Sequence, residues 1–115
     1  MRLAIIGSRS FKDYNKLCVE VNKLRETKEI TTIISGGANG ADLLGKRYAK
    51  DCYLDYKEYP AEWDKYGKSA GFRRNVDIIN DSDIVIAFWD GESRGTKHSI
   101  DLATKSGKKV IIVGF

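Results

Sequence analysis

Three polar segments of this 115-residue chain each follow an apolar run and combine glycine with residues that recognise anions. They are GSRS at residues 7–10, SGGANGAD at 35–42 and DGESRGT at 90–96. Glycine lets backbone amides approach a ligand closely, and the first amides of a following helix have no partners inside that helix. Arginine, present in two of the segments, forks onto phosphate oxygens. The pattern predicts loops that hold a phosphate-bearing ligand, with Arg9 and Arg94 as charged contacts.

The same segments also suit a structural role. The glycines of SGGANGAD fit a tight turn between a strand and a helix, and Thr96 fits a helix cap as well as a ligand contact. Arg9 fits a ligand contact or an ion pair with Asp90 or Glu92. The residues themselves leave these alternatives open.

The segment PAEWDKYGKSAGFRRNVDII is the hardest to explain as scaffold alone. Its Trp63 and Tyr66 suit stacking on a base, or closing the end of the core. Arg73 and Arg74 lie about 100° apart around a helix, so at most one is expected to face a site while the other is solvated. His98, the only histidine, falls in the first turn of a predicted helix and is favoured as a structural residue over a catalytic one.

Strand and helix patterns alternate along the chain and must position these loops. Apolar runs predict strands at 2–7, 30–35, 54–60, 83–89 and 108–115, and helical periodicity predicts helices at 14–28, 39–50, 68–80 and 96–106. The inward residues are expected to be Leu17, Val21 and Leu24 in the first helix, and Phe72, Val76 and Ile79 in the third. This order predicts one α/β domain over residues 1–115. Its fold is a Rossmann-like, doubly wound, mainly parallel five-stranded sheet with helices on both faces. In such sheets ligands bind at the carboxyl ends of the strands, where the three polar segments fall.

The composition argues against several other classes of protein. No run of 18 apolar residues occurs, so we expect a cytosolic protein without a membrane partner. Cys18 and Cys52 are 34 residues apart with no histidine or cysteine cluster, which predicts two buried, reduced thiols and no metal site. Neither the G-x-G-x-x-G nor the G-x-x-x-x-G-K-[ST] pattern is present. The net charge of +4 is spread along the chain and argues only weakly for nucleic acid.

The segments GSRSF, ISGGANGAD, YPAEWDKYGKSAGFRRN and IAFWDGESRGTKHSI, in this order, resemble the YspA/YpsA-related branch of the SLOG superfamily. This Rossmann-like group also contains the LONELY GUY phosphoribohydrolases and the DNA-processing protein DprA. The resemblance covers essentially the whole chain. It implies a nucleotide pocket at the strand ends, without an obligatory cofactor, and does not by itself supply a reaction.

The loops and the resemblance together give a set of candidate residues. The expected ligand-binding residues are Gly7, Ser8, Arg9, Ser35, Gly36, Gly37, Asn39, Gly40, Asp42, Trp63, Arg74, Asn75, Ser93, Arg94, Gly95 and Thr96. The candidates for a catalytic role, should there be one, are Arg74, Glu62 and Asp90.

The resemblance to LONELY GUY places Arg74 at an arginine that serves hydrolysis of a nucleoside monophosphate, and places Ser99 where that family has a glutamate. Cleavage of an N-glycosidic bond suits a carboxylate, which serine does not provide. We therefore expect a domain that binds a nucleotide or nucleotide-derived molecule, as a sensor, signalling or sequestering protein. One alternative is a nucleoside-phosphate or ADP-ribose-type hydrolase with Glu62, Asp42 or Asp90 as its carboxylate.

A second alternative is a single-stranded nucleic-acid module, since GSR followed by SGGANGAD resembles the DprA domain. Weak binding to single strands is expected at most, because the basic residues are not concentrated in one block. A homo-oligomer is also open, since Trp63, Tyr66 and Trp89 suit an interface as well as a base pocket.

Overall fold

A five-stranded, all-parallel sheet organises the protein, and the computed structural model describes all residues from 1 to 115. The strands are β1 (Arg2–Gly7), β2 (Thr32–Ser35), β3 (Asp55–Glu58), β4 (Ile84–Trp89) and β5 (Lys109–Gly114). The helices are α1 (Tyr14–Arg25), α2 (Ala41–Asp51), α3 (Trp63–Tyr66), α4 (Ala70–Asp81) and α5 (Arg94–Lys105), with a 3-10 turn at Gly67–Ser69. The predicted α/β fold is confirmed.

The strand order is β3-β2-β1-β4-β5. The chain builds outward from β1 to β2 and β3, then returns to the other side of β1 for β4 and β5. The order therefore reverses between β1 and β4, which pair in parallel with Ala4 opposite Val85 and Ile6 opposite Ala87. Such a reversal is where open α/β sheets form a crevice at the carboxyl ends of their strands.

Helices cover both faces of the sheet, because the central strands are apolar on both sides. One face carries α1 and α2, whose Leu17, Val21 and Tyr48 pack in a cluster with Leu3 and Ile5 of β1. The opposite face carries α4 and α5, which bury residues such as Ile78, Ile79, Ile100 and Ala103 against the remaining side chains of the sheet. The doubly wound arrangement follows from these two cores.

The first helix is shorter than predicted. The Asp13 carboxylate caps α1 by accepting a hydrogen bond from the Lys16 amide at 3.0 Å, and the predicted inward residues Leu17, Val21 and Leu24 are buried. The helix ends at Arg25 instead of residue 28. Leu24 is the last buried side chain before Ile30, so residues 25–29 present no apolar side chain that would hold a further helical turn against the core.

The buried face of α4 is rotated from the one predicted. Ile79 is buried as expected, but Phe72 and Val76 are 52% and 39% exposed, and the expectation that they face the core is wrong. The helix instead buries Ala70, Ile78 and Ile79. Phe72 lies on the flank of the helix, edge-on to His98 of α5 with 4.7 Å between the ring centroids. The helix packs against α5 as well as the sheet, and this turns the 72/76 side outward.

Smaller differences concern the edges of the fold. Trp63 and Tyr66 lie on the short helix α3 instead of a loop. Cys18 and Cys52 are free thiols, but both are partly exposed instead of buried as predicted. No helix is both long and apolar enough to cross a membrane.

Candidate functional site

A cleft lies at the carboxyl ends of β1 and β4, where the sheet order reverses. This main cleft has a volume of about 560 Å³ and is bounded by the loops after both strands, by α4 and by the start of α5. The predicted site residues that line it are Gly7, Ser8, Arg9, Asp42, Trp63, Arg74, Asn75, Asp90, Ser93, Gly95 and Thr96. All three polar segments of the sequence contribute at least one of them.

A second hollow of about 380 Å³ adjoins the main cleft. We call it the side compartment. Gly36, Gly37 and Asn39 line it, and Arg9, Ala38, Trp63 and Arg74 line both spaces. The predicted residues that line neither are Ser35, Gly40, Arg94 and Glu62.

The GSRS loop is fixed to the end of β4. The Ser8 amide donates to the Phe88 carbonyl at 2.8 Å, and the Asp90 amide donates to the Ser8 hydroxyl at 3.2 Å. Phe11 stacks on Phe88, with 4.5 Å between the ring centroids. The backbone that carries Arg9 is therefore held at both ends, while the Arg9 side chain is exposed beside the cleft.

The first two loops pack backbone against backbone. Gly40 has φ of +84°, and a Cβ built there would lie 2.7 Å from the Cα of Arg9 and closer still to the Ser8 carbonyl oxygen. Only glycine combines that backbone angle with so close an approach. Gly40 thus lines no hollow itself but sets the distance between the loops that do.

The Asp42 carboxylate is bound by two of the backbone amides that the sequence predicts as contacts for an anionic ligand. It accepts hydrogen bonds from the Gly36 amide at 3.2 Å and from the Ala38 amide at 3.3 Å. The Asp42 side chain is almost fully buried, and it lines the floor of the main cleft. Two amides of the SGGANGAD loop are therefore satisfied within the protein instead of being free for a ligand. Ser35 supports this turn, since its hydroxyl donates to the Asp42 carbonyl at 3.2 Å.

The burial of Asp42 changes its acidity. Desolvation raises the pKa of the carboxyl from its ordinary value to about 6, although the Arg74 guanidinium and the two amide hydrogen bonds oppose this rise. A cleft carboxyl that titrates near neutral pH can both hold and release a proton under physiological conditions. The raised pKa distinguishes Asp42 from Asp90, the other carboxyl of the main cleft, whose pKa is lowered.

Arg74 is the arginine of α4 that reaches the site. Its Nη1 donates to the Gly36 carbonyl at 3.1 Å, and its buried Nε has no hydrogen-bond partner. Arg73 turns away: its guanidinium lies 4.3 Å from the Tyr66 ring centroid, and its Nε donates to Ser69. The Arg74 side chain crosses Gly36 so closely that a Cβ there would lie 2.6 Å from Arg74 Cδ.

The third loop leads into the start of α5. Asp90 accepts hydrogen bonds from the Ser93 and Glu92 amides at 2.8 and 2.9 Å, and these bonds hold the pKa of its carboxyl below the usual range. The N-cap of α5 is Ser93, whose hydroxyl accepts from the Thr96 amide at 3.4 Å. Thr96 is thus not the cap, and Arg94 is exposed and lines neither hollow.

Several lining residues were missed at the sequence level: Ile6, Ser10, Ala38, Lys68, Gly71, Phe72 and Ile78. Ser99, considered only as a replacement for a glutamate, also lines the main cleft and is buried. His98 does not line it, but its Nδ1 lies 3.3 Å from the Asn75 carboxamide nitrogen and helps to hold that lining residue. The signal for α4 was available, because Gly71, Arg74, Asn75 and Ile78 follow i, i+3, i+4, i+7 spacing.

Comparison with known proteins identifies the family. The model of the YAcAr family, described as the YspA, cpYpsA-related SLOG family, matches residues 1–66, more than half of the chain. The chain belongs to this SLOG family. It is also 32% identical over 120 residues to the "Gene 61 protein" of Mycobacterium phage D29, an alignment that covers 98% of this chain and 96% of that protein. No solved structure matches.

Membership of the SLOG family indicates a nucleotide-related function in general. The matched segment contains the first two loops of the cleft and Trp63, whereas α4 with Arg74 and the loop before α5 lie beyond it.

Proposed function

We propose that this SLOG protein binds a nucleotide or nucleotide-derived molecule in the main cleft. The observation that carries the proposal is the convergence of three basic side chains, Arg9, Lys68 and Arg74, on one cleft at the reversal point of the sheet. None of the three forms an ion pair with a carboxylate of the protein. Unpaired cations around a concave site attract an anion of the size of a phosphate group.

The main cleft also holds two carboxylates, Asp42 and Asp90, so its three basic side chains leave an excess of one positive charge when all five groups are ionised. Asp42 is engaged by the Gly36 and Ala38 amides, and Asp90 by the Glu92 and Ser93 amides. One oxygen atom of each carboxylate is therefore already an acceptor for two amides of its own loop. The start of α5 adds the positive end of a helix dipole on the same side of the cleft.

Two exposed aromatic rings at the cleft supply a surface for a base. Trp63 is 54% exposed and Phe72 is 52% exposed, and both line the main cleft. Stacking of one base on an aromatic ring contributes roughly 1 to 3 kcal/mol. A nucleotide held by its phosphate at the basic side chains would cover part of this apolar surface.

The experiment is a thermal-unfolding screen with mononucleotides, dinucleotides, sugar-linked nucleotides and cyclic nucleotides. A ligand that binds only the folded protein stabilises it by roughly 2.7 kcal/mol at a hundredfold excess over Kd, and at least one should raise the melting temperature. Arg74→Ala should then weaken that ligand by roughly 10- to 100-fold. Arg73→Ala is the matched control, because the neighbouring arginine packs on Tyr66. Absence of any shift at millimolar ligand would refute the proposal.

A second candidate function is hydrolysis of the N-glycosidic bond of the same ligand. It is favoured by one observation, the buried Asp42 carboxyl with its pKa raised to about 6 beside Arg74. Such a carboxyl is suited to accept a proton from the attacking water. We favour binding alone, because the same carboxylate is held by two loop amides and the position that resembles the LONELY GUY glutamate is Ser99.

A further inference from the structure

We propose that two copies of this chain associate through the outer edge of β5, so that their sheets join into one continuous sheet with five strands from each copy. The two β5 strands run antiparallel about a twofold axis perpendicular to the sheet, and the same strand of each copy forms the interface. This surface differs from the aromatic one that the sequence suggests, which consists of Trp63, Tyr66 and Trp89.

The two edges of the sheet differ in the features that prevent pairing with another chain. The edge strands are β3 and β5. β3 carries Asp55, Lys57 and Glu58 within its four residues, and Pro60 follows it closely. Natural sheets use charged side chains and proline to block their edges. β5 reads KVIIVG and has a single charged residue, Lys109, at its start, so it lacks the protection that β3 has.

The outer side of β5 presents backbone groups that have no partner in the protein. β5 pairs with β4 alone. One side chain bonds to its backbone, that of Lys16, whose Nζ donates to the Gly114 carbonyl at 2.9 Å at the end of the strand. Alternate residues of a strand direct their N–H and C=O groups to opposite sides. The outward groups of residues 109–113 are therefore available to another strand.

The side chains of β5 are apolar but incompletely covered. Five of the six residues of β4 are buried, whereas none of the six residues of β5 is. Ile111 and Val113 pack toward the α1 and α2 face and Val110 toward the α4 and α5 face, yet all three stay partly exposed at the edge. Ile112 is 53% exposed in the middle of the strand, and Phe115 just beyond it is 47% exposed. A further strand would cover this apolar surface.

A second copy fits the edge because β5 is complementary to itself. A twofold axis perpendicular to the sheet leaves each face on its own side, so opposed residues must point to the same face. The axis therefore passes at Ile111 or at Ile112. In the first case Val110 lies opposite Ile112, and in the second Ile111 lies opposite Val113. Both registers place β-branched side chains opposite each other, and such pairs stabilise antiparallel strands.

The charged residue of the strand does not oppose itself. In the two registers Lys109 of one copy lies opposite Val113 or Phe115 of the other. The two lysines are then at least about 14 Å apart at about 3.4 Å per residue, beyond the Debye length of about 8 Å at physiological salt. The edge offers a foreign strand one cation and no carboxylate, so nothing in it selects a charged peptide over a second β5.

The test combines analytical ultracentrifugation with hydrogen–deuterium exchange on the whole chain at about 2 and about 200 µM protein, because association depends on concentration. At the higher concentration the mass should rise from 12.9 kDa toward twice that value. The outward amides of residues 109–113 should then exchange at least about fivefold more slowly. The amides of β3, the other edge strand, are the internal control and should not change.

Ile112→Lys should keep the protein monomeric at about 200 µM and remove the added protection, without loss of the fold because this side chain is exposed. Leu43→Lys is the matched control, since Leu43 is an exposed apolar residue of α2, the helix that packs on the other half of the sheet. It should leave the dimer intact.

The wild-type exchange measurement needs no variant and decides even if Ile112→Lys does not fold. A monomeric wild type at about 200 µM overturns the proposal and leaves the edge to a strand of another protein. A dimer whose β5 amides exchange at the monomer rate overturns it as well, and slower exchange confined to α4 would place the interface there. A dimer that survives Ile112→Lys also contradicts it.

Discussion

Replacing Asp42 with asparagine should stabilise the protein at neutral pH. Burial raises the pKa of this carboxyl from 3.8 to about 6, so the folded protein holds the proton more tightly than the unfolded chain. Between these two pH values unfolding releases a proton, and stability therefore falls as the pH rises from about 4 to about 6. Above pH 6 the ionised carboxylate costs the folded state about 3 kcal/mol, at about 1.36 kcal/mol for each pKa unit.

The Asp42→Asn substitution would remove the charge, while the side-chain oxygen of the asparagine would still accept from the Gly36 and Ala38 amides. The free energy of unfolding of Asp42→Asn should therefore exceed that of the wild type by roughly 2 to 3 kcal/mol at pH 8. The difference should shrink toward zero near pH 4. Urea denaturation at half-unit intervals of pH from 4 to 8, with linear extrapolation to water, measures this difference directly.

Asp90→Asn is the control with the opposite sign. Amide hydrogen bonds lower the pKa of Asp90, so its contribution to stability is present above its ordinary pKa and is lost as the pH falls. At pH 8 the Asp90→Asn variant should therefore be less stable than the wild type, whereas Asp42→Asn should be more stable than the wild type. The reasoning about Asp42 is refuted if wild type is more stable than Asp42→Asn at pH 8, or if their difference is the same at every pH.

Three further outcomes are expected. Gly40→Ala should lower the melting temperature more than Gly91→Ala in thermal denaturation followed by circular dichroism. Both glycines have φ of +84°, but only at Gly40 would a Cβ meet backbone atoms of another loop. Equal decreases in melting temperature would show that the contact between the loops is unimportant. Wild type should release no free base from nucleoside monophosphates on chromatography, and release that disappears in both Arg74→Ala and Asp42→Asn would make the protein a hydrolase. Binding to single-stranded DNA should be weak at physiological salt, and a plot of log K against the logarithm of the salt concentration should fall with a slope of about −0.7 for each phosphate neutralised. Tight binding that resists salt would favour the DprA-like alternative.

The sheet and its helices could be predicted because their signals are local. Apolar runs such as IVIAFW and the i, i+4, i+7 stripe of α1 need only near neighbours in the chain to be interpreted. In α4 the apolar spacing predicts a buried stripe through Phe72, Val76 and Ile79, whereas the stripe that the fold buries runs through Ala70, Ile78 and Ile79. The packing of α4 against α5 decides between them, and that contact is not encoded in either helix alone.

The loops of the site could also be located, since the strand ends follow from the fold. Their internal contacts could not. Asp42 turns its carboxylate back onto the Gly36 and Ala38 amides, a local bond that competes with ligand binding and has no distinct sequence pattern. No sequence pattern singles out Lys68, and only the tertiary structure brings it to the cleft.

Gly36 links the two charged side chains of the cleft, since its amide donates to the Asp42 carboxylate and its carbonyl accepts from the Arg74 guanidinium. A phosphate placed beside Arg74 would offset part of the positive field that keeps Asp42 ionised. Proton uptake at Asp42 would then accompany binding, and by reciprocity a drop in pH from about 8 to about 6 would tighten it. The heat of binding would vary with the ionisation enthalpy of the buffer, so an apparent affinity or enthalpy for this site has meaning only when the pH and the buffer are stated with it.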